Sequence, residues 1–269
     1  VANEPASHPI DKTSLAKVKK SIIYLSEQVA TTFTKFSGEK STLTGLSIIQ
    51  DGSDNQSTAS VKLKPVPSRI EVKNFIATPK PSDFGGSEIQ SFTVEGIYIN
   101  AFYTQGYLDD EITIEDNNKV DNGSDTQKYT EAAYGDNAFM CDDLEEGEYT
   151  STASTTEGEI WKVSPVLAEA THPYWGYQVL KGDVPHMVVK MNVTYEGATV
   201  AEERYLTITG YKKKTGGELE KVERGAVYRI TDLKFDASDL TPTPYEKSKT
   251  VTATVEVLAW TPVEIEPNL

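Results

Sequence analysis

The sequence predicts an all-β protein with one amphipathic helix near its N-terminus. Apolar and polar residues alternate with a period of two in many short segments after residue 60. Loops rich in Gly, Pro, Asp, Asn and Ser separate these segments. Near the N-terminus, apolar residues instead recur at spacings of three and four residues, as in an amphipathic helix. This combination is typical of β-sandwiches rather than of parallel sheets covered by helices.

The predicted helix lies at about residues 12–30. Asp11 or Thr13 can cap its first turn, and Pro9 lies just outside it. Such an amphipathic helix would pack one apolar stripe on a core. The stripe consists of Leu15, Val18, Ile22, Leu25 and Val29.

Strands are predicted on both sides of an acidic, turn-rich stretch at residues 116–159. This stretch holds few apolar residues, so a domain boundary is expected near its end. We therefore predict an N-terminal sandwich at residues 1–158 and a C-terminal sandwich at residues 159–269. The predicted strands are 61–63, 68–75, 91–103 and 111–115, then 160–166, 175–180, 186–195, 205–211, 226–235 and 250–260.

The last predicted strand is the most regular and is followed by a short extended segment. Val255 and Val257 share one side of the strand with Val251. After Trp260, the alternation resumes at Val263 and Ile265, which are separated by a glutamate. Extended apolar residues in such a position can close their own sheet or complete the sheet of another molecule.

Composition excludes several classes of function. The 269 residues include 26 basic and 41 acidic ones, and the formal net charge of −15 argues against nucleic acid or an anionic membrane as a partner. No apolar run approaches the roughly 20 residues of a membrane helix. Cys141 is the only cysteine, so an intrachain disulfide is impossible.

The sequence carries no catalytic or metal-binding signature. The three histidines lack the spacing of zinc ligands, and no nucleophile elbow, Walker loop or dinucleotide-binding motif is present. Adjacent acidic residues are typical of solvated loops, and their order does not match a calcium-binding loop. We therefore predict a protein that is not an enzyme and has no cofactor or metal.

Tyr107 and Trp175 are the candidate ligand-binding residues. Each belongs to a cluster of aromatic residues, and aromatic faces can stack on sugar rings. The alternative is that these aromatics belong to the core, as is common in β-sandwiches.

Several segments of the chain resemble the Bacteroidales fimbrillins, the subunits of type V pili. The resemblance covers most of the chain in the right order and rests on strand patterns. In the first half it involves VANEP, SLAKVKK, LTGLSIIQ, KLKPVPSRIEVKNF and FTVEGIYINAFY. In the second half it involves WGYQVLKGDVPHMVVKM, RYLTITGYKKK, GAVYRITDLKF and VTATVEVLAW.

This resemblance implies two transthyretin-like Greek-key sandwiches in a subunit of cell-surface fimbriae. Members of the family are exported as lipoprotein precursors to the outer membrane, so membrane contact would be through a lipid anchor alone. A protease removes an N-terminal segment, and a strand from a neighbouring subunit then fills the open groove. Because family strands precede the segment similar to VANEP, early strands are expected to be absent here. The implied donor-strand residues are Val255, Val257, Val263 and Ile265.

Three functions follow as hypotheses. The first is a structural fimbrial subunit whose partners are copies of itself or related subunits. The second is a surface adhesin or glycan-binding tip or anchor protein that contacts host or bacterial ligands through Tyr107 or Trp175. The third, a carbohydrate enzyme with paired acids, has the least support.

Overall fold

The protein is mostly β-strand. A computed structural model describes residues 7–28, 35–36, 47–51, 54–58, 61–109, 112, 114, 116–166, 173–245, 251–260 and 263–265. Its α-helices within these residues are short: α1 is Leu15–Lys19 and α2 is Glu131–Tyr134. No helix of the described part is long and apolar enough to cross a membrane.

The strands run through the whole described chain. The first nine are β1 Ile22–Tyr24, β2 Lys35–Phe36, β3 Ser47–Asp51, β4 Asp54–Thr58, β5 Val61–Pro65, β6 Ser68–Ala77, β7 Ile89–Asn100, β8 Phe102–Tyr103 and β9 Gln105–Tyr107. The middle six are β10 Lys119–Val120, β11 Cys141–Asp143, β12 Tyr149–Ala153, β13 Trp161–Pro165, β14 Trp175–Val179 and β15 Gly182–Asp183. The last six are β16 His186–Tyr195, β17 Glu202–Lys213, β18 Lys221–Val222, β19 Ala226–Phe235, β20 Val251–Ala259 and β21 Val263–Ile265.

Ten of these strands form one connected sheet in the order β11-β7-β16-β17-β20-β19-β6-β13-β12, with β14 also paired to β6. Strand β20 joins the two parts of this sheet. Its first half runs parallel to β17, and its second half runs antiparallel to β19. The two parts pack against each other. For example, the ring centroids of Phe92 in β7 and Phe235 in β19 lie 5.1 Å apart. The core therefore lies between two layers.

Strands from the two halves of the chain pair directly in this sheet. Strand β6 pairs with β19, and β7 pairs with β16 along most of its length. The boundary predicted at residues 158 and 159 therefore does not separate two independent sheets in the described residues. Alternation identifies strands but not their partners, and the partners here are distant in sequence.

The predicted helix at residues 12–30 is wrong in extent. Helix α1 begins after Ser14, whose side chain accepts a hydrogen bond from the Lys17 amide, and it has only five residues. Ile22 and Ile23 instead belong to β1, which pairs with β9. Ile23 is fully buried, whereas Ile22 is 41% exposed. The β-branched pair favours a strand, and cross-strand pairing outweighs the weak helical spacing.

Candidate functional site

The donor-strand candidates Val255 and Val257 lie in β20 and have different environments. Val255 is fully buried between the layers, and Lys213 of β17 is its partner in the sheet. Val257 lies beyond the end of β17, is paired with Tyr228 of β19, and is 45% exposed. Strand β20 thus completes the sheet of its own chain.

An open cleft of about 650 Å³ lies over Val257. Its floor includes the buried Tyr228, and its rim includes Lys213 and Glu223. The cleft arises where β17 ends and β20 changes its partner to β19. Val257 therefore extends the apolar side of β20 past the part that its own chain covers.

The other two donor-strand candidates, Val263 and Ile265, lie in β21, which we call the tail strand. The tail strand is antiparallel to β5, with Val263 opposite Leu63 and Ile265 opposite Val61. Strand β2 pairs with the end of β5 nearest Pro65. These contacts make a three-stranded sheet in the order β2-β5-β21. Residues 261–262 and 266–269 lie outside the described residues.

The structure thus separates the four donor-strand candidates into two groups. Val255 and Val257 are part of the large sheet, whereas Val263 and Ile265 extend a smaller one. Strand β5 is the partner of the tail strand, and the sequence did not identify it as such. The alternation at Val61 and Leu63 indicated a strand there, but nothing in a single sequence indicates which strand it pairs with.

Tyr107 lies in β9 and lines a cavity of about 210 Å³. Pairing with Ile22 of β1 holds its backbone, and its side chain is half-buried. The carbonyl oxygens of Tyr107 and Leu108 accept hydrogen bonds of 3.0 and 2.7 Å from the guanidinium of Arg224. Arg224 follows β18 and also lines the cavity, so it connects two of the cavity's walls.

Carboxylates in this cavity, which we call the Tyr107 cavity, are paired with cations. Asp183 accepts hydrogen bonds of 3.0 Å from both the Lys119 ammonium and the Tyr103 hydroxyl. These bonds, together with the charge of Lys221, lower the pKa of Asp183 from its usual value. Asp109, which is 8% exposed, lies 3.1 Å from the ammonium of Lys19.

Strand β15 approaches the floor of the Tyr107 cavity closely. Gly182 has φ +149°, and a Cβ atom there would lie 2.6 Å from a ring carbon of Tyr103. Only glycine allows this approach without a shift of the strand or the ring. The cavity floor is therefore shaped by a backbone contact as well as by side chains.

Trp175, the other candidate ligand-binding residue, is part of the core. It is 6% exposed, its ring lies 5.7 Å from that of Phe75, and it pairs with Val72 of β6. The structure does not bring it together with Tyr107. Trp175 therefore has a core position, in agreement with the alternative interpretation of its aromatic cluster.

The described histidines have tyrosine or acidic neighbours rather than a set of metal ligands. His186 Nδ1 lies 3.0 Å from the Tyr245 hydroxyl, and burial lowers the pKa of His186. His8 contacts Glu27, and His172 lies outside the described residues. Across the part of the chain that the structure describes, no group of three or more His, Cys, Asp or Glu residues is arranged to hold a metal ion.

Comparison with known proteins identifies similar folds but no sequence family. No family model matches the chain, and no curated protein matches its sequence. The chain is 13% identical to a candidate cell adhesion protein from Parabacteroides distasonis ATCC 8503, with a TM-score of 0.52 over 93% of this chain and 78% of that one.

Two further solved structures are less similar. A second candidate cell adhesion protein from Parabacteroides distasonis ATCC 8503 is 14% identical, with a TM-score of 0.45 over 95% of this chain and 71% of that one. One from Bacteroides eggerthii DSM 20697 is 14% identical, with a TM-score of 0.37 over 80% and 65%. At these identities the comparison concerns fold alone. The chain is therefore an all-β protein with the fold of the first of these structures.

Proposed function

We propose that this protein is a structural subunit of cell-surface fimbriae and that copies assemble by exchanging the tail strand. In this proposal, the tail strand of one copy takes the place beside β5 of the next copy. The observation that carries it is the antiparallel pairing of Val263–Ile265 with β5. The protein would have no catalytic role, and its partners would be other copies or related subunits.

Backbone chemistry supports this exchange. The hydrogen bonds that join β5 to the tail strand involve main-chain groups, so an identical strand from a second copy can form the same bonds. Repetition of this contact from head to tail produces a fibre rather than a closed ring. Whether the tail strand pairs with its own β5 or with that of the next copy would then depend on subunit concentration.

Comparison and charge are consistent with a surface location. One solved structure with a similar fold is described as a candidate cell adhesion protein, and the sequence resembles fimbrillins. We propose export as a lipoprotein precursor and a transthyretin-like Greek-key arrangement of the strands. The net charge of −15 disfavours nucleic acid as a partner.

Removal of residues 261–269 tests the proposal. Without Val263 and Ile265, the β5 edge has no strand to receive from a neighbour, so assembly into filaments should fail. Sedimentation velocity and negative-stain images would measure assembly. The control replaces the same nine residues, 261–269, with a Gly-Ser segment of equal length, which should also fail to assemble. Normal filaments from either variant would contradict strand exchange through the tail.

A second candidate function is adhesion through a small-molecule or glycan ligand. The Tyr107 cavity favours this candidate, because it combines a half-buried aromatic wall with paired polar groups. This role is compatible with a structural subunit, since the cavity and the tail strand involve different residues.

A further inference from the structure

We infer that the Tyr107 cavity binds one neutral sugar ring, such as the terminal hexose of a glycan. This inference develops the adhesion candidate and is independent of strand exchange. It rests on the size of the cavity, its aromatic wall and the pairing of its charges.

The size of the cavity limits the ligand. Its volume is about 210 Å³, below the roughly 300–1,000 Å³ of sites that hold drug-sized ligands. The buried Tyr103 and Leu180 form its floor, whereas Asp183 and Lys221 are exposed at its rim. A single ring entering from the rim therefore fits better than an extended chain.

Tyr107 supplies an apolar surface for one face of such a ring. Its side chain is half-buried, and its backbone is fixed by β1 and by Arg224. An aromatic side chain on such a backbone contributes a large contact area and still offers a hydroxyl group. One face of a pyranose ring carries C–H groups that pack on such a surface.

The polar groups suit hydroxyls rather than a charged ligand. The carboxylate of Asp109 is paired with Lys19, and that of Asp183 is paired with Lys119. The Lys181 ammonium lies 3.8 Å from a carboxylate oxygen of Glu223. Lys221 is the strand partner of Asp183, and its charge also acts on that carboxylate. The Arg224 guanidinium donates to two backbone carbonyls. A ligand with its own charge would compete with these pairs. Hydroxyl groups can instead donate to the carboxylates and accept from the ammonium groups without displacing a partner.

Titration of the full chain with free hexoses tests the inference. The panel contains glucose, galactose and mannose as neutral sugars, with glucuronate and inorganic phosphate as charged probes. Isothermal titration calorimetry measures each dissociation constant. At least one neutral hexose should bind saturably, and more tightly than glucuronate or phosphate. Absence of saturable hexose binding, or tighter binding of a charged probe, would overturn the assignment.

Variants locate the binding to the cavity. Tyr107→Ala should weaken hexose binding about fivefold or more, whereas Tyr107→Phe, which keeps the ring, should stay within about twofold. Tyr195→Ala removes a half-buried strand tyrosine outside the cavity and should have no effect. Equal affinities for Tyr107→Ala and the unaltered protein would overturn the inference.

A second pair of variants covers the case in which Tyr107→Ala does not fold. Lys221→Gln alters an exposed rim residue of the cavity, and Lys214→Gln makes the same charge change on the exposed turn after β17, away from the cavity. Hexose binding should weaken about threefold or more with the first and remain unchanged with the second. Equal effects of the two changes would also overturn the inference.

Discussion

Glu71 is a buried carboxylate in β6 that joins two strands distant in sequence. It is 2% exposed, and its oxygens lie 3.3 Å from Nε of Arg69 and 2.8 Å from Nε of Arg229. Arg229 is the partner of Glu71 in the parallel pair of β6 and β19, and its guanidinium stacks over the ring of Tyr174 at 4.5 Å. A buried carboxylate is tolerated here because two cations compensate its charge.

Replacement of Glu71 should therefore destabilise the fold. Glu71→Ala leaves two arginines without their carboxylate in a poorly solvated position. Because both arginines retain some exposure, we expect the free energy of unfolding to fall by about 2 to 3 kcal/mol. Denaturant unfolding followed by circular dichroism measures this change.

Glu220→Ala, on an exposed loop, is the control for Glu71→Ala and should change stability by less than about 0.5 kcal/mol. A loss below about 1 kcal/mol for Glu71→Ala would show that the ion pairs contribute little.

The sequence predicts the environment of some residues better than that of others. Tyr107 and Trp175 were equivalent as aromatic candidates, yet one lines a cavity and the other packs against Phe75. The difference depends on which strands lie above each ring, and that is a property of tertiary packing. An aromatic residue in a strand is compatible with burial, the commoner case, and with ligand contact until its neighbours are known.

At the scale of elements, β1 shows how a short pattern can be misleading. The spacing of Leu15, Val18, Ile22 and Leu25 matches a helical stripe, but the chain leaves the helix after Lys19. The Ser21 carbonyl then accepts a hydrogen bond from the Leu108 amide, and β1 follows beside β9. Val18 of the predicted stripe is half-buried against the core, but the helix ends before the stripe does.

Substitutions at two adjacent isoleucines distinguish strand from helix. In the strand, Ile23→Ala should lower the free energy of unfolding by about 2 to 4 kcal/mol, because Ile23 is fully buried. Ile22→Ala should cost less than about 1 kcal/mol, because Ile22 is 41% exposed. Chemical denaturation measures both. A helix at residues 12–30 would reverse this order, since Ile22 lies on its apolar stripe and Ile23 does not.

The longer strands were predictable where alternation was sustained. The predicted segments 186–195 and 226–235 coincide with β16 and β19, and the segment 250–260 corresponds to β20. A strand that is buried on one side alternates apolar and polar residues, and this alternation can be recognised in the sequence when the strand is long. Short strands such as β9 and β15 carry too few residues for a period to emerge.

At the scale of the whole molecule, the partners of each strand determine the architecture. Strand β6 pairs with β19, where Tyr228 is 158 residues after its partner Ile70, and β7 pairs with β16, where Met187 is 88 residues after its partner Ile99. The composition shift near residue 158 therefore does not coincide with a division of this sheet in the described residues. Local patterns in one sequence contain no information about such distant pairing.

The tail strand could pair with β5 of its own chain or with β5 of another chain, because both pairings use the same backbone groups. The structure gives the register, with Val263 opposite Leu63, but this register is identical in both cases. Cysteines at these two positions can report which chains are joined, since directly opposed strand residues allow a disulfide. The native Cys141 is buried, so it adds little background.

The most direct test of strand exchange is to mix a Leu63→Cys chain with a Val263→Cys chain under oxidising conditions. Both chains also carry Cys141→Ser, and non-reducing electrophoresis measures the disulfide-linked heterodimer. Strand exchange predicts that the heterodimer forms in high yield in assembled material. Failure of the mixed chains to link, together with efficient linkage when both cysteines are in one chain, would contradict it.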